Sequence, residues 1–223
     1  MPHLHAATSH TLQMLSEEFG ANEFQIRTGV SRETISKLET YASCLRGWQQ
    51  RFNLVGQKSL EDVWHRHFFD SAQLFELCEP TSAHLVDLGS GAGFPGMVLS
   101  IMGQSNVELI ESNRKKCFFL TEVAQSANIN VKITNGRLEQ LPANATADIV
   151  TARALAPLSK LLGYVYRRLR PGGVAFLHKG ATVEQELTPA CKDWKMHLRK
   201  HQSQTDPNGM ILEVRDLVPS HAH

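Results

Sequence analysis

The sequence predicts an α/β protein with a mostly parallel sheet, preceded by a helical extension. From residue 84 onward, short apolar runs alternate with amphipathic segments, as strands and helices do when a parallel sheet is covered on both faces. The first apolar run ends in a turn with glycines at 89, 91, 93 and 96. Residues 1–80 show helical periodicity instead. We therefore divide the chain into an extension, residues 1–80, and a sheet domain, residues 81–223.

Composition excludes several classes of protein. The 223 residues are 42% hydrophobic and 20% charged, which suits one α/β core with a small addition. No apolar run approaches the roughly 20 residues of a membrane span, and residues 1–10 lack the pattern of a secretory signal. The four cysteines form no Cys-x-x-Cys pair and the histidines show no ligand spacing, which favours a cytoplasmic protein without a metal ion. A net charge of +1 means that any nucleic-acid face must be a local patch.

In the extension, a long helix begins after Ser31, a plausible N-cap followed by the first-turn acid Glu33. Apolar residues then recur at helical steps and predict a core-facing stripe: Ile35, Leu38, Tyr41, Ala42, Leu45 and Trp48. Shorter helical pieces are predicted at Thr11–Phe19, Ser59–Trp64 and Phe68–Leu77, and turn residues follow at 79–82.

In the sheet domain, strands and helices alternate until a hairpin closes the chain. The turn 206–209, Asp-Pro-Asn-Gly, is typical of a hairpin. The predicted strands are Leu85–Leu88, Val107–Ile110, Ile129–Thr134, Asp148–Thr151, Val174–His178, Trp194–His201 and Met210–Val218. The predicted helices are Pro95–Met102, Arg114–Ala127, Pro157–Leu169 and Val183–Leu187.

The glycines allow two interpretations of the cofactor. Glycines 91, 93 and 96 match the dinucleotide fingerprint, with Glu111 twenty residues further on for a ribose hydroxyl. Asp87, Gly89, Gly91 and Gly93 instead match the acid-Gly-x-Gly-x-Gly pattern of methyltransferases that bind S-adenosylmethionine. In both patterns an acid after the second strand contacts the ribose, so Glu111 does not discriminate between them.

Three features favour S-adenosylmethionine. Gly89 follows the strand directly, whereas the dinucleotide alignment begins two residues later. Asp87 suits a cationic cofactor and would repel a pyrophosphate. The order of elements, ending in an antiparallel hairpin, is that of a seven-stranded, Rossmann-like class I methyltransferase sheet. An NAD-dependent oxidoreductase remains the weaker alternative.

The residues after the fourth strand limit the methyl acceptor. Residues 151–154 lack the Asn/Asp-Pro-Pro-Tyr motif of enzymes that methylate exocyclic amines. Methylation at a pyrimidine carbon needs a cysteine nucleophile, and none lies near the end of strand four or five. The remaining possibility is a methyl acceptor whose attacking atom is already nucleophilic. Guanine N7 is one, because its free lone pair requires positioning but no general base.

Four motifs of the sheet domain resemble the bacterial 16S rRNA guanine-N7 methyltransferases called RsmG, or glucose-inhibited division protein B. They lie at 87–96, 111–120, 153–158 and 179–180, and elements at 53–54 and 66–71 of the extension resemble the same family. Val55 and Val98 depart from it, standing where the family often has Thr and Pro. The resemblance implies methyl transfer from S-adenosylmethionine to N7 of guanosine 527, in the 530 loop of 16S rRNA, by a cytoplasmic monomer acting on the 30S subunit. A non-catalytic, cofactor-sensing RNA-binding protein is the other alternative.

The glycine pattern and the resemblance together define candidate site residues. Those for the cofactor are Asp87, Gly89, Gly91, Gly93, Phe94, Glu111, Leu138, Glu139 and Arg153. Phe94 would form an apolar wall, Leu138 and Glu139 would contact the adenine edge, and Arg153 would act in catalysis at the end of strand four. Those for RNA are Arg66, His67, Arg114, Lys115, Lys116 and Lys179. A second basic run, Arg167, Arg168 and Arg170, is interpreted as a solvated face.

Overall fold

A computed structural model describes residues 19–220 of the chain. Its centre is a seven-stranded sheet in the order β3-β2-β1-β4-β5-β7-β6. Strands β1 to β5 pair in parallel, and β7 pairs antiparallel with both β5 and β6. The predicted fold class is confirmed. The strands are β1 His84–Leu88, β2 Asn106–Glu111, β3 Lys132–Asn135, β4 Ala147–Arg153, β5 Leu169–Lys179, β6 Trp194–Gln202 and β7 Met210–Pro219.

Helices cover both faces of this sheet. The long predicted helix of the extension is α2, and the Ser31 hydroxyl caps it by accepting the Thr34 N–H at 3.1 Å. A π-helical turn, Trp64–Phe69, leads into α4. The helices are α1 Ala21–Thr28, α2 Arg32–Gln49, α3 Gln57–Glu61, α4 Asp70–Ala72, α5 Gly96–Met102, α6 Arg114–Ser126, α7 Leu158–Tyr166 and α8 Val183–Asp193. The helix predicted at Thr11–Phe19 lies outside the described residues, apart from its last position.

Several element boundaries differ from the sequence prediction. Strand β3 begins at Lys132 and not at Ile129, because the Ile129 N–H closes the end of α6 on Ala124 O. Strand β5 begins at Leu169, because Leu169 pairs with Ala147 of β4 ahead of the Pro-Gly-Gly segment, and the extra residues 170–173 form an irregularity in β5. Helix α8 extends to Asp193 through Pro189. Helix α1 was not predicted, although Gly29 ends it in the left-handed conformation typical of a C-cap.

The extension packs on the same sheet face as α5 and α6. Tyr41, on α2, is fully buried, and its ring stacks on Phe94 at 5.4 Å between centroids and lies 5.3 Å from Phe68. This core continues to Phe119 on α6. The opposite face is covered by α7 and α8. Burying the aromatic rings fixes the extension against the carboxyl end of β1. Among residues 19–220, no helix is long and apolar enough to cross a bilayer.

Candidate functional site

The glycine turn connects β1 to α5 at the carboxyl edge of the sheet. Gly89 has φ +64°, and a Cβ there would lie 2.3 Å from Leu155 Cδ1. Gly93 has φ +96°, and a Cβ there would lie 2.6 Å from the Tyr41 hydroxyl. Both positions therefore require glycine, for backbone conformation and for space. Leu155 and Tyr41 thus pack directly on the backbone of the turn and hold its shape. Gly91, with φ +59°, is the more open position, because a Cβ there would meet only Gly89 O at 3.7 Å and Lys116 Nζ at 3.9 Å.

Glu111 ends β2 beside this turn, as the sequence predicts for a ribose-binding acid. Its carboxylate is buried and accepts the Gly91 N–H at 2.9 Å through Oε2 and the Asn113 N–H at 2.7 Å through Oε1. The two bonds fix the distance between β2 and the glycine turn. A carboxylate offers about four lone-pair sites, so Glu111 keeps capacity for ribose hydroxyls.

Asp87 lies beneath the turn and is completely buried. Its Oδ1 accepts the Thr151 hydroxyl at 2.7 Å, whereas Oδ2 has no hydrogen-bond partner within residues 19–220. Burial raises the pKa of Asp87 to about 6, against the lowering effect of the Thr151 hydroxyl. A buried carboxylate with a free oxygen is the electrostatic complement of a cationic ligand.

Leu138 and Glu139 follow β3, and the Gly136 N–H bonds Glu111 O at 3.0 Å, which holds this loop beside the turn. Leu138 is buried. The exposed Glu139 carboxylate accepts the Tyr164 hydroxyl and pairs with Lys160 Nζ at 3.4 Å. The hydrogen bond from Tyr164 is the main cause that lowers the pKa of Glu139 to about 2. With the Glu139 side chain committed to α7, the backbone of this loop is the part available to an adenine.

Arg153 connects the end of β4 to the extension. Its guanidinium donates to Asp70 Oδ2 at 3.1 Å, to His67 Nδ1 at 2.8 Å and to Arg66 O at 3.2 Å. It also lies over the Phe94 ring, 4.8 Å from the centroid. The His67 ring is stacked on Phe94 at 4.6 Å. Phe94 belongs to the glycine turn, so one aromatic ring joins the turn to the Arg153 cluster.

His67 is neutral at physiological pH. Burial, reinforced by the nearby Arg153 charge, lowers its pKa to about 3. Because Arg153 can only donate, His67 Nδ1 must accept, and its Nε2–H donates to Ser59 Oγ at 3.1 Å. The opposite partner, Asp70, is ionised: burial opposes its charge, but His178, Arg153 and a hydrogen bond from Thr205 together lower its pKa.

A cavity of about 450 Å³ opens at this edge between the extension, the ends of β4 and β5, and the β6–β7 loop. This volume lies within the range of small-molecule sites, roughly 300–1,000 Å³, and can accommodate a nucleobase with its ribose. Its wall includes Arg66, His67, Asp70, Arg153, His178 and Thr205. In open α/β sheets ligands bind outside the carboxyl ends of the strands, which makes this cavity the candidate acceptor site.

Lys179 lines the same cavity from β5, but its charge is engaged within the protein. Its Nζ bonds Glu186 Oε2 at 2.6 Å and Ala156 O at 3.2 Å, and its side chain is only 10% exposed. The same Glu186 oxygen accepts the Leu158 N–H at 2.6 Å. The pair therefore fixes the α7 end of the β4–α7 loop, from which Leu155 packs on Gly89.

The structure separates the remaining predicted RNA residues into two places. Arg66 is exposed beside the acceptor cavity. Arg114, Lys115 and Lys116 begin α6, on the β2 side of the glycine turn. Asp70, His178 and Thr205, which complete the cluster around Arg153, are not among the predicted site residues. Only the motif at 66–71 hinted at Asp70, because its ionic partner is 83 residues away. Within residues 19–220, no three His, Cys, Asp or Glu side chains are grouped to hold a metal ion.

Two solved structures illustrate the similarity in fold. The PH0226 protein of Pyrococcus horikoshii matches with a TM-score of 0.60 at 14% identity, over 76% of this chain and 98% of that one. TYW2 of M. jannaschii in complex with AdoMet matches with a TM-score of 0.54 at 14% identity, over 74% and 78%. Both likenesses show that this chain has the fold of these proteins, with its glycine turn, Asp87 and Glu111 at the carboxyl edge of the sheet.

The particular family follows from sequence comparison. Residues 34–210 match the GidB family model, described as rRNA small subunit methyltransferase G. Ribosomal RNA small subunit methyltransferase G of Paramagnetospirillum magneticum is 48% identical over 198 residues, which cover 89% of this chain and 96% of the relative. Its counterpart in Rhodospirillum centenum is 48% identical over 201 residues, covering 90% and 93%. The chain belongs to the small-subunit rRNA methyltransferase G family.

Proposed function

We propose that this protein transfers a methyl group from S-adenosylmethionine to N7 of a guanine in small-subunit rRNA, guanosine 527 of the 530 loop. Family membership supports the reaction. The structural observation that carries it is the contact of Phe94 with both His67 and Arg153. It brings the cofactor turn and the acceptor cavity together at one edge of the sheet, as direct transfer between two bound molecules requires.

The residues present fit the cofactor. Gly91 leaves room for close backbone approach, and Asp87 supplies a buried negative charge with one oxygen unpartnered among the described residues. Glu111 would hold the ribose, Phe94 would provide an apolar wall, and the loop at 138–139 would contact the adenine. When bound, S-adenosylmethionine supplies a methyl group on a cationic sulfur.

The acceptor cavity suits a base that needs no deprotonation. Guanine N7 carries a lone pair and no proton, so the chain has only to orient it and exclude water. His67 is neutral, and the charges of Arg153 and Asp70 balance each other. Of the five N–H groups of Arg153, three bond described residues of the extension. The others are available to an oxygen of the target nucleotide, which is the catalytic role we assign to Arg153.

The expected setting is the cytoplasm, with the protein acting as a monomer on 30S particles and without a metal ion. Transfer of labelled methyl groups to 30S particles, naked 16S rRNA and tRNA tests both reaction and substrate. We expect label in small-subunit rRNA, recovered as N7-methylguanosine at one position. Cofactor binding with no label in any RNA would favour a cofactor-sensing RNA-binding protein. Tight NAD binding in calorimetry, with none of S-adenosylmethionine, would refute the proposal and favour an oxidoreductase.

A further inference from the structure

A second, strongly basic cleft of about 320 Å³ lies between the end of α2 and the start of α6. We call it the α2–α6 cleft. Three of its lining residues are cations, and none is acidic. It is lined by Arg51, Phe52, Asn53, Leu54, Asn113, Lys115 and Lys116.

The cations around this cleft have no ionic partners among the described residues. Arg51, Arg114 and Lys115 are exposed and Lys116 is half-buried, and within residues 19–220 none of the four forms an ion pair. Four cations without a counter-charge create a local positive potential in a chain of net charge +1.

Aromatic rings accompany these cations. Lys115 Nζ lies 4.6 Å from the centre of the Phe52 ring, and the Arg114 guanidinium lies 5.5 Å from that of Phe118. Phe118 is 54% exposed although it is a large apolar side chain. Cations along a groove with exposed aromatic rings are the surface that binds single-stranded nucleic acid, because phosphates meet the charges and bases stack on the rings.

Hydrogen bonds fix the walls of the cleft. The Gln49 amide oxygen accepts the Leu54 and Val55 N–H groups at 2.9 and 3.2 Å, and its nitrogen donates to Val55 O at 2.8 Å. On the opposite wall, Asn113 Oδ1 accepts the Lys115 and Lys116 N–H groups at 2.9 and 3.3 Å. A groove whose backbone is already ordered loses little entropy when it binds.

The cleft adjoins the cofactor turn. Glu111 bonds the Asn113 N–H on the cleft side and the Gly91 N–H on the turn side. Lys116 Nζ would be 3.9 Å from a Cβ on Gly91. The acceptor cavity, by contrast, is lined by Arg153 and the β6–β7 loop. RNA bound in the cleft would therefore pass on the β2 side of the cofactor.

We propose that the α2–α6 cleft binds the ribose–phosphate backbone of a single-stranded RNA segment that flanks the target nucleotide, and that Phe118 stacks on one of its bases. The inference rests on the proposed function for the identity of the RNA. Arg51, Lys115 and Lys116 contact phosphates, while Arg66 and Arg153 contact the nucleotide in the acceptor cavity.

The test is the affinity of purified full-length protein for a fluorescein-labelled 16S rRNA fragment that contains the 530 loop, measured with S-adenosylhomocysteine present. Arg51→Ala/Lys115→Ala removes two of the proposed phosphate contacts. We expect affinity to fall about tenfold in 100 mM salt, and the slope of log affinity against log salt to fall by between one and two. Arg51→Lys/Lys115→Arg should restore most of the affinity.

The matched control is Lys192→Ala/Lys195→Ala, which removes two exposed lysines at the far side of the sheet, on α8 and β6. It should change affinity less than twofold. Phe118→Ala should weaken binding about fivefold with an unchanged salt slope, because stacking carries no charge. The proposal would be overturned if RNA affinity fell equally in both double variants, or if it did not fall in Arg51→Ala/Lys115→Ala. The cleft would then be a solvated surface that does not bind RNA.

Methyl transfer, measured separately, distinguishes this proposal from the proposed function. If the wild-type protein binds the fragment through the cleft but labels no RNA, the proposal for the cleft stands and the proposed reaction is refuted. If the wild-type protein labels rRNA but the cleft variant binds RNA with unchanged affinity, the proposed reaction stands and the proposal for the cleft is refuted.

Discussion

The Arg153 guanidinium and the Asp70 carboxylate form an ion pair, with 3.1 Å between Nη1 and Oδ2, that connects the end of β4 to the extension. Both side chains are largely buried, at 19% and 13% exposure. Thr205, in the β6–β7 loop, donates a further hydrogen bond to the same carboxylate at 2.6 Å. Three distant segments therefore meet at one charge pair beside the acceptor cavity.

Removing one member of this pair should cost both stability and activity. Asp70→Asn leaves the Arg153 charge partly uncompensated, and breaking buried pairs costs about 3–5 kcal/mol; we expect the lower end because Arg153 keeps its bonds to His67 and Arg66. Methyl transfer should fall at least tenfold. Arg153→Lys should also be poorly active, because a lysine ammonium cannot donate hydrogen bonds in the planar, forked geometry of a guanidinium. Urea unfolding and labelled transfer measure the two effects, and full activity in Asp70→Asn would contradict the assignment.

The glycine turn gives a prediction with an internal control. Gly89→Ala places a Cβ against Leu155 at a φ of +64°, so we expect cofactor affinity to fall at least tenfold in calorimetry. Gly47→Ala, within α2 and with no atom within 4 Å of the new Cβ, should instead raise the free energy of unfolding by about 0.8–1 kcal/mol. Normal affinity in Gly89→Ala, or lost affinity in Gly47→Ala, would count against the site.

Asp87 predicts a specific dependence of stability on pH. Its pKa rises from 3.8 to about 6 on folding, so between these values the folded state holds a proton that the unfolded state has lost. This contribution to stability is complete below about pH 4 and is lost as pH rises through 6. A shift of about two units corresponds to about 3 kcal/mol.

Asp87→Asn should remove this dependence. Above pH 6 the variant should be more stable than the wild type by up to about 3 kcal/mol, yet bind the cationic cofactor more weakly. Denaturant unfolding from pH 4.5 to 7.5 and calorimetry test both effects. A constant stability difference between the two proteins across this range would show that Asp87 does not titrate as stated.

Lys179 and Glu186 should position the β4–α7 loop and not contact RNA. Lys179→Met leaves Glu186 without its cation, and we expect kcat to fall about tenfold while KM for RNA and the salt slope stay unchanged. Lys179→Arg should recover most of the activity. Lys179→Met/Glu186→Gln should be less impaired than Lys179→Met alone, since both charges are gone. A salt slope lower by about one in Lys179→Met would instead indicate a phosphate contact.

The structural features that depend on neighbouring residues in the chain are predictable from the sequence. The sheet, the Ser31 cap and the glycine turn follow from periodicity, capping chemistry and spacing, each within about twenty residues. The pairs that complete the site are not local: Asp70 with Arg153, and Tyr41 with Ala92, join segments more than fifty residues apart. Residue type alone also could not show that Lys179 is held in an ion pair while Lys115 is exposed, because both are lysines near the same sheet edge.

The Tyr41 hydroxyl has a consequence for how the chain is held together. It donates to Ala92 O within the glycine turn, and its ring belongs to a core shared by the extension and the sheet. The sequence pattern changes near residue 80, but the segments on either side of that position share one hydrophobic core. Residues 19–80 and the sheet should melt in a single cooperative transition, and a fragment beginning at residue 81 would expose Phe94 and Phe119 to water. The cofactor turn would then lose its shape at the same moment as the extension, and cofactor binding would report on the integrity of both.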